Sequence, residues 1–330
     1  MQNRRWSDII VPCAKNNIIC ILLLAVLWND VFFCSQTGSV SQSGSFFIDK
    51  ILTFAGLSQS VGRIINFVIF AAVSFFILRI NDVFLFIKTR TVLPTFFFVI
   101  SGSLLLPHEF TSAAFVTTLL LLSINSACKM CVTERIHFAF NVGMLIALAS
   151  LVYPFALILV LPFWSFALSF NMFSLRTILA TVIGAFIPYL YGLMWLFFID
   201  GELHFPIDCS FSFQYSLPDN IFKAVFLGVN AVLLLVSVIN LIVTNSQENI
   251  RPQRMFSYFL TSLTFALAVT LFVPGGLLNM GGLVIVLSSF IVGRFFTLNY
   301  AYARIVKIML WIYLVASTAY FILNLSSSNV

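Results

Sequence analysis

Long apolar runs alternate with short polar connectors along almost the whole chain. The runs lack the period-two alternation of a transmembrane β-strand, and most are close to the ~20 residues that a helix needs to cross a membrane. Because lipid offers no hydrogen-bond partners to the backbone, continuous runs of this kind predict transmembrane α-helices. We therefore expect an all-α, polytopic membrane bundle.

Eleven runs can be delimited, and they predict eleven spans in a single integral membrane domain over residues 1–330. Two longer polar segments, 34–60 and 200–220, are predicted as loops on the outer face. The predicted spans cover residues 18–33, 61–86, 92–106, 110–127, 138–152, 155–172, 177–199, 221–244, 256–273, 277–293 and a last run that ends near residue 325.

The connectors are shortest between Arg90 and Tyr191, where the apolar runs are about 15 to 18 residues long, below the usual length of a span. Leu-Pro-His-Glu at 106–109 and Val-Tyr-Pro at 152–154 separate consecutive runs. Turns this tight predict antiparallel neighbouring helices. They also place His108 and Glu109 at a membrane surface.

Basic residues give the predicted orientation, because cytoplasmic connectors carry an excess of Lys and Arg. Of the 17 basic residues, all but Lys50, Arg63 and Lys223 fall on one side of the eleven-span arrangement. The first run follows basic residues, as in a signal sequence, but no small-residue cleavage site comes after it, so we expect an uncleaved first span. The predicted topology is N-terminus inside and C-terminus outside.

The composition excludes several classes of function. With 61% hydrophobic and 8% charged residues, the chain is not a soluble globular protein, and its net charge of +6 needs no nucleic-acid partner to explain it. No phosphate-binding loop of the G-x-x-x-x-G-K-[ST] type is present, and no inner connector is long enough to form a nucleotide-binding domain. Few charged residues lie within the spans, which disfavours an ion-driven transporter.

Carboxylates on the predicted outer face are the candidate catalytic residues. Asp30, Asp49 and Glu109 are each expected at the same interface, where they would act as a general base or bind a divalent cation that neutralises a phosphate. Arg63, His108 and Asp200 are candidate substrate-binding residues on that side. The alternative is that these are solvated loop residues, with His108 as a helix cap.

The six cysteines are too scattered for a disulfide framework. Cys128 and Cys131 form a C-x-x-C with His137 nearby, but no fourth zinc ligand is evident, so we interpret them as ordinary cysteines at the membrane edge. Cys34 and Cys209 are both predicted outside, which leaves open a disulfide between the two outer loops.

The central stretch resembles an uncharacterised family of polytopic inner-membrane proteins of Bacteroidota. The resemblance rests on a basic residue, Leu-Pro, a short span, the Leu-Pro-His-Glu turn, a second short span, a small basic turn, and then GMLIALASLVYP, ALILVLPFW and IPYLY. The same arrangement is similar, more distantly, to the GT-C superfamily of membrane glycosyltransferases. The resemblance implies a bacterial inner-membrane location.

The GT-C resemblance implies a polyprenyl-phosphate sugar as donor and an acceptor reached from the outer face, in envelope glycan or glycoprotein assembly. Asp30 or Asp49 would take the place of the first-loop carboxylate, and Glu109 that of the second-loop carboxylate. The chain departs from the superfamily in having no adjacent acidic pair in the first loop and no large outer C-terminal domain. Two alternatives remain: a non-catalytic subunit or scaffold that binds a membrane-protein partner, and a transporter of lipid or small solutes.

Overall fold

A computed structural model describes residues 14–28, 59–84, 87, 91–200, 221–244, 250–273, 275–298 and 303–328. This part of the chain is helical and contains no strand, which confirms the predicted all-α class. The helices are α1 (Ala14–Leu27), α2 (Gln59–Phe84), α3 (Leu93–Leu105), α4 (Ser112–Thr133), α5 (His137–Val152), a 3-10 helix (Pro154–Leu159), α6 (Val160–Ser169), α7 (Leu175–Asp200), α8 (Ile221–Thr244), α9 (Ile250–Phe272), α10 (Gly276–Leu298) and α11 (Ala303–Ser328).

Seven of these helices, namely α2, α4 and α7 to α11, are long and apolar enough to cross a membrane. The other four are shorter, with α1 at 14 residues, α3 at 13, α5 at 16 and α6 at 10. Prolines account for two of the interruptions. Leu106, the residue before Pro107, is extended and ends α3, while Pro154 starts a 3-10 turn that replaces the first part of the predicted span 155–172.

Helix α10 lies at the centre of the bundle. In its apolar span 72% of the residues are buried, against 17% in that of α11, and it packs against α3, α4, α8 and α9. Two glycines allow the closest of these contacts: Gly282 lies against Thr117 of α4, and Gly293 lies against Pro94 of α3. The short helix α3 is buried along most of its length, so its neighbours shield it from lipid.

A second close contact joins α5 to α7. Small residues recur at intervals of four on α5, at Ala139, Gly143 and Ala147, and they let the two backbones approach. A Cβ added to Gly143 would overlap the carbonyl oxygen of Thr181 on α7. A Cβ added to Gly184 of α7 would likewise overlap the backbone of α5. This pair extends the bundle away from α10.

Candidate functional site

A cavity of about 750 Å³ lies beside α10, between α8 on one flank and α9 on the other. Helices α3 and α11 complete its walls, together with the connector, by which we mean residues 106–111 between α3 and α4. Leucine is the commonest wall residue, at ten positions, and Thr270, Ser288 and Ser289 add hydroxyl groups. A cavity of this size and character can hold much of a lipid-sized ligand.

Charged and titratable side chains gather at the connector end of this cavity. Four of them line it there, and we call this set the charged end: Arg63 of α2, His108 and Glu109 of the connector, and Lys223 of α8. All four are partly buried. Two cations at one end of an apolar cavity favour a ligand with an anionic head and an apolar tail.

The ring of His108 is fixed by two neighbours. Its Nε2 lies 2.7 Å from the backbone oxygen of Ser103. Its ring stacks on that of Trp28, with 4.4 Å between centroids. Because a carbonyl oxygen only accepts, Nε2 is the protonated nitrogen in this contact. The Trp28 indole is itself held, since its Nε1 donates to the Ser103 hydroxyl at 3.0 Å.

The connector backbone is fixed by Asn66, a buried residue of α2 one turn after Arg63. Its side-chain Nδ2 lies 2.7 Å from the carbonyl oxygen of Glu109, 3.2 Å from that of His108 and 3.3 Å from that of Pro107. The Asn66 amide thus donates to carbonyl oxygens of the connector, and its contact with Glu109 is the shortest. Asn66 thereby sets where His108 and Glu109 lie at the cavity.

We expect Asn66→Ala to loosen the connector, because the two Nδ2 hydrogens that contact its carbonyl oxygens are lost. Amide hydrogens of residues 106–111 should exchange with solvent about tenfold faster, as measured by hydrogen–deuterium exchange with mass spectrometry. Asn81→Ala is the matched control. The Asn81 amide donates to the carbonyl oxygen of Thr91 at the opposite end of α3, so its loss should leave the connector unchanged. Equal exchange in Asn66→Ala and the wild type would contradict the assignment.

The cavity wall also contains a hydrogen-bonded group of polar side chains. This polar cluster joins α3, α8 and α11: the Ser101 hydroxyl donates to Asn230 Oδ1 at 2.9 Å, and the Tyr313 hydroxyl lies 2.8 Å from Ser101 Oγ. Asn230 Nδ2 donates to the carbonyl oxygen of Phe226 at 2.8 Å. Hydrogen bonds of this kind between helices fix how the three helices pack.

Three of the six predicted site residues meet at the charged end. Arg63 of α2 lines the same cavity as His108 and Glu109, which are neighbours in the connector. Asp30 and Asp49 lie outside the described residues, as do Cys34 and Cys209. Asp200 is the last residue of α7, and its side chain also lies outside the described part.

Lys223 was not among the predicted site residues, although its predicted position on the outer side of the membrane, where basic residues are rare, pointed to it. Lys50, Arg63 and Lys223 are the three exceptions to the inside bias of basic residues, and two of these three line the cavity. A basic residue that the predicted topology places against the bias is therefore a signal for a local role. Asn66 and Asn230 carry a weaker signal, as amides within apolar runs.

The structure offers no further metal candidate in the part of the chain that it describes. Cys128 and Cys131 are buried in the helix core, and no group of three or more His, Cys, Asp or Glu side chains that could hold a metal ion occurs among the described residues.

Comparison of the chain with protein-family models, with curated proteins and with solved structures found no match.

Proposed function

We propose that this chain is a GT-C-like membrane glycosyltransferase that moves a sugar from a polyprenyl-phosphate donor to an acceptor hydroxyl. The observation that supports the proposal is the charged end itself, where two cations and the Glu109 carboxyl border an apolar cavity. A lipid-linked sugar phosphate has a matching distribution of polarity, with an anionic group between a sugar and a hydrocarbon chain.

The proposed topology places the connector end of the bundle at the outer face of a bacterial inner membrane. All eleven helices form the membrane domain, with the N-terminus inside and the C-terminus outside, as the distribution of basic residues favours. The sugar is then transferred on the outer side, in the assembly of an envelope glycan or glycoprotein.

Arg63 and Lys223 bind the donor phosphate in this mechanism. They lie on different helices, α2 and α8, so together they can approach the phosphate from two sides. Charge-assisted hydrogen bonds to a phosphate are among the stronger polar contacts, and apolar surroundings strengthen them further. The hydrocarbon of the donor leaves the charged end toward the bilayer.

Glu109 acts as general base. The acceptor oxygen attacks the anomeric carbon of the sugar, its proton passes to the Glu109 carboxylate, and the bond from the anomeric carbon to the phosphate oxygen breaks. Polyprenyl phosphate leaves with the bonding electron pair, stabilised by Arg63 and Lys223. From the GT-C resemblance we propose that Asp30 or Asp49 provides the first-loop carboxylate, which would hold a divalent cation on the phosphate.

Binding of polyprenyl phosphate to the purified protein tests the phosphate site. We expect Arg63→Gln and Lys223→Gln each to weaken binding about tenfold or more, because each removes one charge-assisted contact. Titration in lipid nanodiscs, followed by native mass spectrometry, gives the dissociation constants.

Arg176→Gln is the matched control, since Arg176 is an exposed cation at the start of α7 and does not line the cavity. It should bind the lipid as tightly as the wild type. If both cavity variants also bind polyprenyl phosphate with the wild-type constant, the proposed donor site is wrong. An uncharged polyprenol should bind all four proteins equally.

A further inference from the structure

The polar cluster in the cavity wall leaves one hydrogen-bond donor of Asn230 unused. Tyr313 donates to Ser101, Ser101 donates to Asn230 Oδ1, and one Nδ2 hydrogen of Asn230 goes to the carbonyl oxygen of Phe226. The second Nδ2 hydrogen of Asn230 has no partner among the described residues. Asn230 is also the least buried of the three side chains.

The orientation of the Asn230 amide follows from its neighbours. The Phe226 carbonyl can only accept, so it must face the Nδ2 group, and Oδ1 must face the Ser101 hydroxyl. Rotating the amide by 180° would place Asn230 Oδ1 against the carbonyl oxygen of Phe226. Because Tyr313 and Ser101 hold Oδ1 in place, the remaining N–H is presented by a rigid group.

This donor lies below the charged end, on a stretch of α8 whose other wall residues are apolar. Asn230 follows Lys223 by seven residues on α8, a rise of about 10 Å, and Ser101 lies four residues before the end of α3, a rise of about 6 Å. The neighbouring wall residues on α8 are Leu227, Ala231 and Leu234. A donor without a partner beside these apolar side chains is unfavourable, so a ligand that supplies an acceptor there is favoured.

We propose that the cavity binds the acceptor of the transfer, and that this acceptor is a glycerolipid whose ester carbonyl accepts the hydrogen bond of Asn230. A diacylglycerol fits the arrangement, because its free hydroxyl reaches the charged end beside Glu109 while its ester carbonyls lie below. The acyl chains pass along the leucine-rich wall of the cavity, beside Leu227, Leu233 and Leu234 of α8.

The inference rests on the proposed function for the reaction and deepens it by naming the acceptor class. The diacylglycerol oxygen forms the new bond to the anomeric carbon, its proton passes to Glu109, and polyprenyl phosphate leaves with the electron pair of the broken bond. The product is a glycosyl diacylglycerol. A polyprenyl chain has no acceptor atom at the depth of Asn230, so the polar cluster favours the glycerolipid over the donor tail in this position.

Binding of diacylglycerol and of its dialkyl ether analogue to the wild-type protein tests this directly. The two lipids differ only in the ester carbonyls, and an ether oxygen is a much weaker acceptor. We expect the wild type to bind the ester about 5- to 10-fold more tightly, and Asn230→Leu, which keeps the side-chain size but removes the N–H, to bind both lipids equally. Purified, delipidated protein and native mass spectrometry provide the constants.

Asn240→Leu, the same substitution on the same helix but outside the cavity, should keep the ester preference. Equal binding of ester and ether by the wild type overturns the inference without any variant, and so does an ester preference that persists in Asn230→Leu. Loss of polyprenyl phosphate binding in Arg63→Gln is independent of these results, so failure of the donor site and failure of the acceptor site are distinguishable.

Discussion

Replacing Glu109 with Gln is expected to lower the rate of sugar transfer at least about a hundredfold, because an amide cannot take the proton of the acceptor hydroxyl. Gln has nearly the same shape and keeps an acceptor oxygen, so the connector held by Asn66 retains its backbone contacts. The rate is measured in proteoliposomes as release of polyprenyl phosphate from a radiolabelled polyprenyl-phosphate sugar, with diacylglycerol in the membrane.

Two further measurements test whether a lower transfer rate reflects loss of the general base. Binding of polyprenyl phosphate by Glu109→Gln should equal or exceed that of the wild type, since one negative charge beside the phosphate site is removed. Glu134→Gln changes an exposed carboxylate that caps the far end of α4, away from the cavity, and should leave the transfer rate unchanged. A wild-type rate in Glu109→Gln would exclude Glu109 as the base.

The helices and the connector were largely predictable from the sequence, because both depend on local patterns. A continuous apolar run specifies a helix by itself, and Pro107 directly after Leu106 ends α3 at Leu105, one residue before the predicted end of the span. The placement of His108 and Glu109 between two helices follows from the same pattern, although α4, with 22 residues, is longer than the predicted span 110–127.

The cavity was not predictable, because its walls come from helices that are distant in the chain. Ser101 and Asn230 are separated by 129 positions, and Ser101 and Tyr313 by 212, yet their side chains form one hydrogen-bonded cluster. Apolar runs in lipid contain little information about which helix packs against which, since lipid and leucine are about equally apolar. The pairing is decided by small and polar residues, whose partners a single sequence does not identify.

Gly143 shows this dependence on small residues, and we expect Gly143→Ala and Gly184→Ala each to destabilise the bundle by about 3 kcal/mol, the upper end of the cost of overpacking. In both positions the added methyl group would overlap backbone atoms of the facing helix, at Thr181 or at Phe140. Backbone atoms of a helix cannot move away as the end of a flexible side chain can. Helices α5 and α7 must therefore separate, and they lose contact along their length. Unfolding in mild detergent, followed by tryptophan fluorescence, measures the loss.

Gly228→Ala is the control for helix propensity, since a Cβ at Gly228 of α8 meets no atom within 4 Å. It should be neutral or stabilise the protein by up to about 1 kcal/mol, because alanine favours a helix more than glycine does. The double variant of Gly143 and Gly184 should cost clearly less than twice the single loss, because one separation of α5 from α7 relieves both overlaps. Strict additivity would mean that the two glycines act at independent contacts, and the close α5–α7 pairing would then be wrong.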